Sequence, residues 1–348
     1  MRATTIHGAF DIRVTDVPDP EVLRPTDALV EVSATCVCGS DLWPYRGINE
    51  VRAGSRIGHE FVGIVRDVGS EVTTVQPGEF VIAPFAWGDN TCRVCRAGVN
   101  TSCENGGWWG ARDRESLPVD GGQGQWVRVP LADGTLVSTP SVPDDTLLPD
   151  LLTLSDVMGT GWHCALGASV AAGDTVAVIG DGAVGLCAVL SAKLMGATTI
   201  IAMSRHTARQ EIATEFGATH LVPERGADGI ARVLEITEGL GVDAALECVG
   251  TDDAMQTAIA VARPGGRIGY VGVPHDIVLP METMFGRNLR LGGGVAPVRQ
   301  YIPALRDLVL AGEIHPGRVF DLTVPLEEIP EAYAAMDQRR ATKAMVLP

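Results

Sequence analysis

Basic residues are scarce beside acidic ones in this 348-residue chain: 27 Lys plus Arg stand against 43 Asp plus Glu, a formal charge of -16. Such an excess repels phosphate backbones and anionic lipid surfaces overall, which excludes a dedicated nucleic-acid or membrane-surface binder and leaves room only for a local basic pocket. Long apolar runs are lacking too. None approaches the roughly 18 to 20 residues that span a bilayer, and the opening MRATTIHGAFDIRV has no basic stretch followed by an apolar core. The expectation is a soluble, cytoplasmic chain. There is no repeat and no low-complexity linker, and the length is near two average domains, enough to bury a core without disulfides.

What is present is unevenly placed. Of eight cysteines, Cys36, Cys38, Cys92, Cys95 and Cys103 fall in the first third, and Cys164, Cys187 and Cys248 are scattered later. Clustering of this kind in a chain of cytosolic type favours metal before disulfide.

The first 150 residues carry short Val/Ile-rich segments such as DALVEVSAT, GHEFVGIVRDVG and EFVIAPFA, broken by Gly, Pro and Asp. Their spacing predicts a largely antiparallel, barrel-like domain with functional loops. Around residue 155 the texture changes. From Thr175 apolar strands alternate with helical periodicity, as in TVAVIG, GAVGLCAVLSAKLMGA, TIIAMS and TARQEIATEFGA, the mark of a doubly wound parallel sheet in an α/β fold. The last 50 residues mix strand and helix and are expected to return to the first domain.

Strand Thr175 to Ile179 runs into Gly180-Asp181-Gly182-Ala183-Val184-Gly185, and a helical stretch follows at once. In a dinucleotide site the first glycine makes the turn, the second lets pyrophosphate approach the backbone, and the third lets helix pack on strand, with phosphate at the helix N-terminus. An ordinary strand-to-helix turn is the alternative. Where an NAD site carries an acid at the end of the second strand, this chain reads Met203-Ser204-Arg205-His206. A serine and a base there can donate to a 2′-phosphate that an acid would repel, so NADP(H) is expected over NAD(H). A solvated Arg205 is the plainer reading.

Two segments suggest metal. Cys38, Ser40, Asp41, His59 and Glu60 lie in CGSDLW and GHEFVG; thiolate and imidazole suit zinc, but a third ligand has to come from far along the chain. Read alone, Cys38 could be a buried small hydrophobe and His59 a structural histidine. The second group is Asp89, Cys92, Cys95 and Cys103, spaced D-x2-C-x2-C-x7-C, which can wrap one tetrahedral ion and leave no open position. Its role would be a structural zinc; a weak three-cysteine site or a reduced, metal-free loop are the alternatives.

The GHE segment, the cysteine lobe, the GxGxxG motif and the RRATKAMVLP ending, in that order, resemble the zinc-dependent medium-chain alcohol dehydrogenases over essentially the whole chain. The resemblance implies a GroES-like, barrel-type catalytic domain over residues 1–155 with a structural-zinc lobe. It further implies a Rossmann cofactor domain over 156–295 and a return segment, 296–348, that completes the catalytic domain. The active site is expected in the cleft between the two domains. Carried over by position, Cys38, His59 and Asp156 are similar to the catalytic zinc ligands, with aspartate where many relatives have cysteine, as in bacterial NADP-dependent secondary alcohol dehydrogenases. Glu60 is similar to the carboxylate that approaches zinc when water is displaced. Asp41 is similar to the acceptor that orients the ligating histidine, fixing its tautomer. Asp89 stands for the first lobe cysteine, and as a harder donor than thiolate it should weaken retention of the structural zinc.

The reaction implied is reversible hydride transfer between a nicotinamide and an alcohol/aldehyde or ketone pair, with zinc as Lewis acid. Ser40 would relay the alcohol proton, and Trp43, counted with the substrate pocket, stands where relatives often have a relay histidine. Thr160, Val249, Val271 and Val273 are placed beside the cofactor, and Lys343 at its pyrophosphate. Phe85 and Trp108 would form an apolar substrate wall, with Trp87, Trp109 and Trp162 narrowing or extending it; simple packing is their bland reading. A homotetramer is expected, with a homodimer as the alternative. Competing functions are a specialised polyol or threonine dehydrogenase, with a polar outer pocket, and a cofactor sensor without turnover, which would have no need of zinc ligands.

Overall fold

Alternate burial along an extended segment follows from the two-residue period of a strand. In Ala28–Cys36 the residues Ala28, Val30, Val32 and Ala34 are buried while Leu29, Glu31 and Ser33 are partly exposed. The computed structural model describes all 348 residues and makes this segment the hub of a seven-stranded sheet. It pairs antiparallel with Phe61–Val68, with Trp126–Val129, and through Cys36 and Thr35 with the last strand, Ala344–Leu347. Phe61–Val68 in turn carries Phe80–Ala83, and Val137–Ser138 extends that edge. One pair breaks the antiparallel expectation: Leu322–Pro325 lies parallel to Ala344–Leu347, the helix Ile329–Asp337 lying between them in sequence. A three-stranded sheet over Arg2–Gly8, Asp11–Asp16 and Ser55–Arg56 lies in the same unit.

The chain separates into two compact units, Met1–Asp156 with Pro297–Pro348, and Val157–Ala296. The first carries the largely antiparallel sheet and includes the return segment. Its core joins Val30, Val65, Phe61, Val81, Val127 and Trp109, and a second cluster joins Ile6, Val37, Leu42, Tyr333 and Val346 around the return segment.

The second unit is a Rossmann fold. Six parallel strands run in the order His220–Leu221, Thr199–Met203, Thr175–Ile179, Val242–Glu247, Ala262–Tyr270, Arg290–Gly293. Taken by chain position this is 3-2-1-4-5-6, whose reversal between the first and fourth strands opens a crevice at their carboxyl ends. Ile179 is level with both Met203 and Glu247, so the loops after all three strands leave the sheet at one height. Local signals place the helices. Thr251 caps Asp252–Val261 by accepting from the Ala254 amide, with two aspartates in the first turn, where the helix dipole favours them. No helix is long and apolar enough to cross a membrane.

Candidate active site and metal centres

Three parts of the first unit bring the candidate zinc ligands together. The chain leaves Ala28–Cys36 through a turn in which the Asp41 amide donates to Cys38 O at 3.1 Å, and Asp41 Oδ2 accepts the Cys38 amide at 3.0 Å. His59 and Glu60 directly precede Phe61, which is level with Thr35, and the Thr35 hydroxyl donates to Glu60 O at 2.7 Å. Ser155 fixes the third part: its hydroxyl donates to Phe61 O and its carbonyl accepts from the Phe85 amide, so Asp156 arrives beside the histidine.

One ligand atom from each of Cys38, His59, Glu60 and Asp156 lies within 4.8 Å of the others. Cys38 Sγ is 3.8 Å and His59 Nε2 3.6 Å from Asp156 Oδ2, and His59 Nε2 is 4.0 Å from Glu60 Oε1. Behind the imidazole, Asp41 Oδ1 stands 3.3 Å from Nδ1. Burial pushes the His59 pKa down, but the charges of Asp41 and Cys38 and hydrogen bonds to Asp156 and Asp41 outweigh it, and the net shift is strongly upward. Burial and the Glu60 charge raise the Cys38 thiol, against the pull of His59. A sulfur, an imidazole and a carboxylate in this space suit zinc with a position left open, and a cation relieves the like charges that otherwise hold protons here. Glu60 Oε2 points the same way: it is buried without a hydrogen-bond partner.

The second group forms a knuckle. Asp89, Cys92, Cys95 and Cys103 also lie within 4.8 Å. Cys92 caps the short helix Arg93–Arg96, and its sulfur accepts the amides of Cys95 and Glu104, while the Cys103 sulfur accepts those of Asp89 and Asn105. These amides, that of Cys95 foremost, lower the Cys92 thiol pKa, whereas burial raises the thiols of Cys95 and Cys103, for Cys103 in spite of its two amides. Asp89 is not turned away: Oδ1 accepts from the Thr91 and Cys92 amides and Oδ2 from Asn105 Nδ2. Burial raises its pKa, yet the Cys92 and Thr91 amides outweigh that and the carboxyl sits well below the usual range. Three sulfurs and a carboxylate make a donor set that can close around one ion and leave no position for substrate.

In the second unit the three glycines of the turn answer three different steric needs. Gly180 has φ +116°, open to glycine at little cost. A Cβ at Gly185 would come within 2.0 Å of Gly180 O, whereas one at Gly182 would meet nothing within 4 Å. Gly182 is the N-cap of Ala183–Leu194, the helix that holds Ala183, Val184 and Gly185 and lacks a side-chain cap for its first amides. Val249 packs on Gly180, and Val271 follows strand Ala262–Tyr270, its amide donating to Glu247 O. Val249 and Val273 are exposed, and Thr160 is buried on helix Val157–Gly167. Ser204, Arg205 and His206 follow Thr199–Met203, with His206 at the N-cap of Thr207–Phe216.

Residues 24–141 match the alcohol dehydrogenase GroES-like domain and residues 183–311 the zinc-binding dehydrogenase domain. A protein of Mycobacterium tuberculosis named as a probable zinc-binding alcohol dehydrogenase is 36% identical over 343 residues, 97% of this chain and 86% of that one. The chain belongs to the zinc-dependent medium-chain alcohol dehydrogenases. Among solved structures, an alcohol dehydrogenase from a Thermus species superposes with a TM-score of 0.91 at 34% identity, covering 100% of this chain and 99% of that one. A zinc-binding dehydrogenase of Sinorhizobium meliloti, solved bound to NADP, has a TM-score of 0.85 at 27% identity, with 100% and 99% covered.

Several positions in this alcohol dehydrogenase differ from expectation. Lys343, expected at the pyrophosphate, is 1% exposed, and its Nζ donates to Glu60 Oε1 at 2.8 Å and Val37 O at 3.3 Å. Trp87 and Trp109 belong to the core, Trp109 donating from Nε1 to Pro84 O, so neither lines an outer wall. Phe85 and Trp108 do stack, 5.9 Å apart at 11°, and Phe85 meets the His59 ring edge-on at 6.5 Å. Ser40 is exposed at the turn, Trp43 is partly buried on helix Leu42–Tyr45, and Trp162 is partly buried on helix Val157–Gly167 in the second unit. The Ser204 hydroxyl is not free for a phosphate, since it donates to Asp181 Oδ2 at 2.9 Å.

Five residues were not legible beforehand. Gln123 Nε2 donates to Asp41 Oδ2 at 3.2 Å and to Cys36 O, while its Oε1 accepts from Tyr333 at 2.9 Å, tying the Asp41–His59 pair to the return segment. Asp181, Arg209 and Arg225 form an ion cluster behind Ser204. A glutamine and a tyrosine with partners 82 and 210 residues away carry no local signal, and arginines on a helix and a loop read as surface charge.

Proposed function

We propose that this alcohol dehydrogenase is zinc-dependent and transfers hydride between NADP(H), in preference to NAD(H), and small alcohol/aldehyde or ketone pairs with an apolar substituent. The observation that carries the reading is the Cys38–His59–Glu60–Asp156 group with the stacked Phe85 and Trp108 beside its histidine. Cys38, His59 and Asp156 would hold the catalytic ion, with Glu60 adjacent, and Asp89, Cys92, Cys95 and Cys103 a structural one. Bound zinc supplies Lewis-acid polarisation of the alcohol or carbonyl oxygen, and the nicotinamide carries the hydride.

The chain's own residues do the rest. Asp41 holds His59 Nδ1–H so that Nε2 faces the ligand group, and Gln123 holds Asp41. Ser40, exposed two residues from Cys38, takes the proton of the alcohol. Phe85 and Trp108 give an apolar surface for the substituent and keep water from the reacting carbon. Thr160, Val249, Val271 and Val273 line the nicotinamide side, while Gly180, Gly182, Ala183, Val184 and Gly185 receive the pyrophosphate. The absence of an acid after Thr199–Met203 and the exposed Arg205 support the NADP(H) preference, as does the NADP in the Sinorhizobium relative. The reading also includes a cytoplasmic homotetramer, checked by light scattering.

The test is a screen of NADPH and NADH oxidation over aldehydes and ketones, with zinc measured on the same sample. Turnover that follows zinc content and is faster with NADPH is expected. Equal rates with both cofactors would remove the preference; no turnover despite bound zinc would remove the substrate class.

A further inference from the structure

At the carboxyl ends of strands Thr175–Ile179 and Thr199–Met203, a serine hydroxyl and two guanidinium groups converge, and they converge on a carboxylate of the chain itself. Asp181 sits between Gly180 and Gly182 in the glycine turn, its side chain only 11% exposed. Oδ2 accepts from Ser204 Oγ at 2.9 Å and lies 3.9 Å from Arg225 Nη2, and Oδ1 pairs with Arg209 Nη1 at 3.2 Å. The cluster is tied to the strand end: Arg225 Nη1 donates to Met203 O at 3.0 Å and Gln210 Nε2 to Ser204 O at 2.5 Å. Burial raises the Asp181 pKa, but the Ser204 hydrogen bond and the charges of Arg209, Arg225 and His206 outweigh it, so the group is ionised at neutral pH.

We propose that Asp181 is a cofactor-specificity residue: reaching across from the glycine turn, it engages the donors that a 2′-phosphate needs and so keeps NAD(H) acceptable to a pocket whose arginines favour NADP(H). The inference rests on the dinucleotide site proposed above. An NAD site uses an acid from the second strand to accept ribose hydroxyls and repel a 2′-phosphate. Here the second strand ends in Ser204, and the neighbouring turn supplies the acid. A phosphate must compete with Asp181 for the Ser204 hydroxyl and for Arg209, and it meets a like charge; a free ribose meets neither obstacle. Removing that one charge therefore favours the 2′-phosphorylated cofactor and leaves the other little changed.

The experiment is calorimetric binding of 2′,5′-ADP and 5′-AMP to the full chain and to Asp181→Asn, which keeps the shape and an acceptor for Ser204 but removes the charge. The affinity ratio of 2′,5′-ADP to 5′-AMP should rise about tenfold, the scale of one charge-assisted hydrogen bond. Asp181→Ser repeats the test with a smaller side chain should the Asn variant fail to fold, and Arg209→Gln should lower the ratio. An unchanged or falling ratio in the folded Asp181 variants overturns the proposal. A wild-type chain that favours 5′-AMP removes only the NADP(H) preference, since a rise on substitution still stands as support; failure of both fragments to bind the wild-type chain removes the dinucleotide site and this inference together.

Discussion

Asp41 Oδ1 lies 3.3 Å from Nδ1 of His59 while its Oδ2 accepts the backbone N–H of Cys38 at 3.0 Å, so one carboxylate orients two neighbouring metal-ligand candidates at once. In Asp41→Asn the amide can still meet one of these donors, but it no longer carries the charge that favours the Nδ1–H tautomer. Zinc affinity at this group should fall by about 10- to 100-fold. Chelator competition on the purified protein, with kcat measured at matched zinc content, reads the effect. Unaltered retention would make the contact incidental.

The cysteine knuckle should be separable from the catalytic group. Cys95→Ser removes a buried sulfur that the helix Arg93–Arg96 presents to its partners. Metal content should drop from about two ions per chain to about one, with the catalytic group still loaded. Asp89→Cys should slow zinc loss to a chelator, thiolate being the softer donor. Faster loss would mean that the amides now held by the carboxylate matter more than donor softness.

Lys343 and Glu60 form a buried ion pair, at 1% and 0% exposure. Lys343→Met strands the carboxylate, and the unfolding free energy should decrease by about 3–5 kcal/mol. Adding Glu60→Gln should restore part of the loss, which denaturant titration of both single variants and the double variant would show. Additive losses would argue against the pairing.

Asp133 provides a pH test at a carboxylate that belongs to neither candidate ligand set. Its carboxylate accepts the amides and hydroxyls of Thr73 and Thr74. Burial raises its pKa, but these four donors, the Thr74 and Thr73 amides foremost, outweigh it and leave the folded value below the unfolded one. A group lowered in this way stabilises the fold above its unfolded pKa, about 4, and loses that contribution as pH falls through the folded value. The difference in Tm between the wild-type chain and Asp133→Asn should thus be full at pH 7 and shrink towards pH 3. A constant difference would rule out ionisation as the source.

How much of this could be read from residues alone depends on the distance over which each interaction acts. The parallel sheet was legible because TVAVIG and TIIAMS repeat a local pattern, and the glycine turn because three glycines at fixed spacing answer three local steric needs. The lobe was legible for the same reason: its four donors lie within 15 residues of chain. Asp156 was legible only through resemblance, since Ser155 reaches Phe61 O across 94 residues. For Lys343 the sequence implies a cation at the pyrophosphate only through resemblance, and its partner Glu60, 283 residues earlier, leaves no local signal. Trp87 and Trp109 were misread because adjacency to Phe85 and Trp108 in sequence says nothing about which face of a strand or loop turns inward.

The final strand, Ala344–Leu347, pairs with Thr35 and Cys36 just ahead of the Cys38 turn, and Tyr333 reaches Gln123 behind Asp41. Translation therefore delivers the ligand turn early and its supporting wall last. A substitution that breaks the strand Ala344–Leu347 would thus be felt at the Cys38 turn, near the other end of the sequence.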